Sequence, residues 1–95
     1  MNPYVTTVQP LENNELLLNF TNGEQRVFDA KPYLGKGVFK RLKDRSTFFG
    51  VRVVAGSVEW PGEIDLSYDT LYLESYPIVA VNAAGKGGHA SVPTR

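Results

Sequence analysis

One dipeptide constrains this chain more than any other feature: Asn22-Gly23, set between two stretches that alternate apolar and polar residues. Asn and Gly both accept φ > 0, as a tight hairpin requires, so the chain reverses direction here. Before the turn, Leu16, Leu18 and Phe20 share one face at period two, and Leu17 and Asn19 point the other way. After it, residues 24–29 return as a strand. Upstream, residues 4–11 are rich in β-branched and aromatic types and read as a first strand. Pro10 confines it to an edge or places the proline near its end. Glu12-Asn13-Asn14 is turn material, because short polar side chains bond their own backbone. The first 29 residues therefore predict a three-stranded antiparallel meander with Leu16, Leu18 and Phe20 in the core.

The next segment breaks the strand pattern. Pro32 is pre-set for the first position of a short helical turn. Residues 38–43 read as a short amphipathic turn, with Val38, Phe39 and Leu42 on one side and Lys40, Arg41 and Lys43 on the other. Ser46 is the expected N-cap of a further turn carrying Phe48 and Phe49. Val51-Arg52-Val53-Val54, the return at Ala55-Gly56 and Ser57-Val58-Glu59-Trp60 predict a second hairpin, ended by Pro61-Gly62. Ile64 and Leu66 suit a brief extended segment. Ser67 is placed to cap a short helix that docks through Tyr68, Leu71 and Tyr72. The expected fold class is α+β: a small single domain over 1–76, with a meander, a second β-hairpin and short helices. Residues 77–95, rich in Gly and Ala, are expected as a flexible tail, because they offer too little apolar surface to offset ordering.

Composition removes several function classes. The chain has 95 residues, enough for one small domain with a modest core. It has no cysteine, which excludes a disulfide framework, a Cys-ligated zinc and a cysteine nucleophile. Its single histidine, His89, leaves little material for a multi-His metal site or a Ser-His-Asp set. No apolar run approaches the ~20 residues of a membrane span, and the N-terminus lacks a basic-then-apolar leader, so a cytoplasmic location is expected. Gly85-Lys86-Gly87-Gly88-His89 lacks the spacing of a phosphate loop. With no identifiable set of nucleophile, base and orienter, the expectation is a protein that is not an enzyme and uses no cofactor or metal.

Charge is balanced in total, ten basic against ten acidic residues, but unbalanced in order. Residues 31–52 hold Lys31, Lys36, Lys40, Arg41, Lys43, Arg45 and Arg52 against Asp44, a net +6. Residues 53–76 hold Glu59, Glu63, Asp65, Asp69 and Glu74 with no base, a net −5. Either the blocks face each other and neutralise, or one meets a partner. Lys36, Lys40, Arg41, Lys43, Arg45 and Arg52 are the candidate surface for phosphate or an acidic partner. The bland alternative is a solvated face. Trp60, Glu63 and Asp65 are a second candidate, as a pocket or interface. There the alternative is Trp60 as a core anchor and Asp65 as a turn or cap acceptor.

The order of these landmarks resembles the bacterial "domain of unknown function 2442" family. The matching pieces include Val8-Gln9-Pro10-Leu11, Leu16 through Glu24, Arg26-Val27-Phe28-Asp29 and Gly37 through Asp44. They continue with Phe48, Val51-Arg52-Val53, Val58-Glu59-Trp60-Pro61, Ile64-Asp65-Leu66 and Asp69-Thr70-Leu71-Tyr72. The resemblance covers about residues 4–75. It implies a small α+β fold with two antiparallel β units. It also implies genes that sit beside a small partner gene in arrangements like toxin–antitoxin pairs. The expected function is thus a non-catalytic binding module, antitoxin-like or regulatory, that binds a small toxin-like protein. The alternatives are a small-molecule or nucleic-acid binder working through 36–52, and a structural homodimer. No helix-turn-helix is recognisable, which weighs against direct sequence-specific DNA binding.

Overall fold

The computed structural model describes residues 1–78. Its strands are β1 (Val5–Leu11), β2 (Glu15–Phe20), β3 (Gln25–Asp29), β4 (Arg52–Val54), β5 (Ser57–Trp60), β6 (Ile64–Leu66) and β7 (Tyr76–Pro77). Two short helices are α1 (Arg45–Phe48) and α2 (Tyr68–Leu73). Three 3-10 segments cover Glu12–Asn14, Lys31–Tyr33 and Gly37–Lys43. The fold is α+β, as expected. The first sheet has the order β1-β2-β3-β7 and the second β4-β5-β6, with all pairs antiparallel.

The meander forms where the sequence places it. Leu16 and Leu18 are fully buried and Phe20 nearly so. Opposite them, Phe28 pairs with Leu16 and Arg26 with Leu18, so the inner face continues across β3. The turn chemistry differs from expectation. Only Gly23 takes a positive φ, of 89°. Glu24 O accepts from Phe20 N at 2.9 Å, which leaves a three-residue loop, and Asn22 Oδ1 accepts from Glu24 N at 3.0 Å. Gly23 is therefore the left-handed residue that closes a longer loop. The two-residue turn lies instead at Ala55-Gly56, with φ of 52° and 83° and Val54 paired to Ser57.

Two further strands extend the expected sheets. Ile64–Leu66 pairs with β5, so the second unit is a three-stranded meander rather than a hairpin. Tyr76–Pro77 adds a fourth strand beside β3, and Ile78 N donates to Gln25 O at 2.8 Å. The ladder thus runs past the boundary expected at residue 76. The rest of the expected tail, including His89, lies outside the described residues.

One core joins both sheets. Val5, Leu16, Leu18, Phe20 and Phe28 from the first sheet meet Val58, Trp60, Ile64 and Leu66 from the second. Leu42, Phe48 and Leu71 complete it from the helical segments. The sheets also touch through backbone, since Val5 N donates to Gly56 O at 2.8 Å. The β3–β7 edge is fixed by Arg26, whose side chain is only 13% exposed. Its guanidinium donates to Ser75 Oγ at 2.7 Å, Ser75 O at 2.8 Å and Glu24 Oε1 at 2.7 Å, and lies 4.4 Å from the Tyr72 ring centre. The Arg26 bond, then that of Tyr72, holds the Glu24 carboxyl below its ordinary range. No helix among the described residues is long and apolar enough to cross a membrane.

Candidate functional site

The segment from Lys31 to Asp44 has no strand to join and turns in tight i→i+3 steps. Tyr33 N donates to Ala30 O, Lys36 N to Tyr33 O and Phe39 N to Lys36 O, all at 2.9 Å. Such a 3-10 segment eclipses side chains three apart. Phe39 and Leu42 therefore point inward together, half-buried and buried respectively. Lys40 and Lys43 form an outward ridge, and Val38 shares a third face with Arg41. The expected amphipathic grouping therefore holds for Phe39, Leu42, Lys40, Arg41 and Lys43 and departs only at Val38. Val38 is 56% exposed instead of facing the core.

The six basic candidates divide by type. The three arginines bind the protein itself. Arg41 donates to Gly62 O at 3.3 Å and so ties the ridge to the β5–β6 turn. Arg45 pairs with Glu12 and lies over the Phe49 ring at 4.2 Å. Arg52 reaches Glu59 across β4 and β5 at 3.4 Å. The three lysines project outward. Lys36 stands over the Tyr33 ring at 5.5 Å, and Lys36, Lys40 and Lys43 have no ion pair among the described residues. Of these arginines only Arg52 meets the opposed acidic block, through Glu59, since Arg45 pairs with Glu12 and Arg41 with a neutral carbonyl. The lysines are left as an exposed ridge.

Local bonding frames this ridge on both sides. Asp44, not Ser46, caps α1: its carboxylate accepts from Thr47 N at 3.0 Å, and from the Ser46 and Thr47 hydroxyls. Those bonds, that of Ser46 first, hold the Asp44 carboxyl below its ordinary value. Ser46 was a fair candidate from sequence, but Asp44 precedes Thr47 by the three residues that an N-cap needs. Behind the ridge, Tyr33 packs edge-on to Phe39 with ring centres 5.2 Å apart, and its hydroxyl donates to Glu74 Oε1 at 2.7 Å. Burial, then that bond, pushes the Tyr33 hydroxyl up to about 12. Beside the ridge, Arg41, Asp44, Thr47, Pro61 and Gly62 line an open groove of about 400 Å³.

The second candidate set does not come together. Trp60 is 1% exposed, stacks on Phe48 and donates its indole N–H to Phe48 O at 3.1 Å. It is a core residue. Trp60 pairs with Ile64 and Glu59 with Asp65, so strand alternation puts Asp65 on the opposite face. Glu63 is exposed in the intervening turn, at a φ of 64°. Glu59 and Asp65 instead share a groove of about 240 Å³ on the open face of the second sheet, with Val54, Ser57, Leu66 and Ser67. Sequence reasoning missed this groove. The period-two register of β5 against β6 was the signal that would have found it.

The arrangement suits noncovalent binding. Its lysines offer mobile ammonium donors, and exposed Val38 offers an apolar contact beside them. Among the described residues, no group of three or more His, Asp or Glu side chains is placed to hold a metal ion. Comparison with curated proteins and with solved structures gives no match. The model of the family described as "Protein of unknown function (DUF2442)" matches residues 5–77, from the start of β1 to the end of β7, and the chain belongs to that family.

Proposed function

We propose that the protein is a non-catalytic cytoplasmic binding module that docks an acidic segment of a small protein partner, as an antitoxin-like or regulatory subunit. The observation that carries this reading is the lysine ridge. Lys36, Lys40 and Lys43 are exposed and have no ion pair among the described residues, and the same segment exposes Val38 by 56%. A carboxylate-rich segment with one apolar side chain answers both features. Complementary charge steers such encounters, and the apolar contact holds them. A single-stranded nucleic acid fits less well. It needs aromatic faces for stacking, and the nearby Tyr33 and Phe39 are packed on each other against the core.

The test is a fluorescence-anisotropy titration with two probes, a Glu/Asp-rich peptide containing leucine and an oligothymidine of similar charge. Saturable binding of the peptide, with the oligothymidine weaker and the peptide lost in Lys36→Glu/Lys40→Glu, supports the proposal. Peptide binding that is absent, or unchanged in that variant, refutes it. Tighter binding of the oligothymidine, with a steep salt dependence, moves the assignment to nucleic acid.

A further inference from the structure

The lysine ridge has a complement on the same molecule. On the open face of the second sheet, Glu59 and Asp65 lie opposite each other in a groove of about 240 Å³ with Val54 on its wall. Arg52 answers Glu59 at 3.4 Å, whereas Asp65 is exposed and has no ion pair among the described residues. Glu63, also exposed, extends the acidic character into the adjoining turn. Val54 is 42% exposed. The 36–40 segment offers the reverse pattern along the chain: exposed Lys36 and Lys40 stand two residues before and after exposed Val38.

We infer that two copies of this chain associate by charge complementarity, the 36–40 segment of each seated on the acidic face of the other around Val54 and Asp65. An exchange that is mutual closes after two copies and satisfies both surfaces, as a two-fold dimer requires. A one-way contact would instead leave one ridge and one groove open and permit chains to grow. The net charge of zero over the whole chain removes the long-range repulsion that would oppose such pairing. Its regulatory meaning rests on the proposed function: the dimer covers the ridge, so an acidic partner must displace a second copy that imitates it. The self-association itself is read without any partner.

The experiment is sedimentation velocity on the full chain at low and high salt. It uses the native sequence, Lys36→Glu/Lys40→Glu, Glu63→Lys/Asp65→Lys, and an equimolar mixture of the two variants. All four altered side chains are exposed, so circular dichroism should show unchanged folding. The native chain is expected to dimerise, with dissociation promoted about tenfold by raising salt from 50 to 500 mM. Each variant alone, carrying one sign of charge on both surfaces, is expected to be monomeric. Their mixture restores both contacts and is expected to form a dimer again. A monomeric native chain, a dimer that both variants leave intact, or a mixture that stays monomeric overturns the inference. A native chain that dimerises as expected but binds no acidic peptide refutes the partner reading alone.

Discussion

Replacing Trp60 tests the central packing argument, because this side chain joins the two sheets to α1. It is 1% exposed, its ring centre lies 5.9 Å from that of Phe48, and its N–H reaches Phe48 O. Removing a buried tryptophan down to alanine costs about 3–5 kcal/mol, from lost transfer energy and the cavity left behind. Small domains hold roughly 5–15 kcal/mol in total, so Trp60→Ala consumes a large share of stability. Trp60→Phe separates the two contributions. It keeps an aromatic ring against Phe48 and loses the one hydrogen bond, which costs about 1–2 kcal/mol. Urea unfolding followed by far-ultraviolet circular dichroism reads both, since the only tryptophan is the residue replaced. With a urea slope of roughly 1–2 kcal/mol per molar, the alanine midpoint should fall by about 1.5–5 M at constant slope. The phenylalanine midpoint should fall by about 1 M. An alanine shift below about 1 M refutes the assignment of Trp60 to a shared core. Equal shifts in both variants refute the separation into packing and hydrogen bond.

Three other perturbations address the parts around that core. Arg26→Met removes the bonds to Ser75 and Glu24 and should destabilise by about 2–3 kcal/mol. The exchange of the Ile78 amide should accelerate before that of the β2 amides, and uniform acceleration would contradict a local clamp. Tyr33 should titrate near pH 12 in an ultraviolet absorbance titration. Since its folded value is raised, its stabilisation is complete below about pH 10 and is lost as pH rises through 12. Glu74→Gln should bring that titration down only partly, because burial is the larger cause. Asp44 is depressed below its ordinary 3.8, so the stabilisation it gives is present above that pH and is lost as pH falls through the lower folded value. Asp44→Ala should flatten the acid limb of a stability–pH curve measured between pH 5 and 2, and an unchanged limb would assign that limb to other carboxylates.

Legibility in this sequence follows the range of the forces. The β1–β3 meander is readable because period-two burial and turn residues act within a few positions. Ser67 is readable as a cap for the same reason: its hydroxyl accepts from Thr70 N, three residues on. The strands β6 and β7 are three and two residues long, too short to display a period. Ile64–Leu66 becomes a strand because Ile64 and Leu66 bury against the core and β5 supplies a free edge. Tyr76–Pro77 becomes one because Arg26 grips Ser75 just before it, a contact 49 residues apart in the chain. The ridge failed differently. α-Helical spacing puts Val38 on the core side, whereas the 3-10 winding of this segment does not. At three residues per turn, Phe39 and Leu42 occupy the inward face, and Val38 falls on another, where it is 56% exposed. The same step that exposes Val38 aligns Lys40 with Lys43, so the apolar contact and the charged ridge have one geometric cause. A substitution that restored α-helical spacing would therefore turn both at once. In a segment this short, backbone winding sets the exposed surface as directly as side-chain identity does.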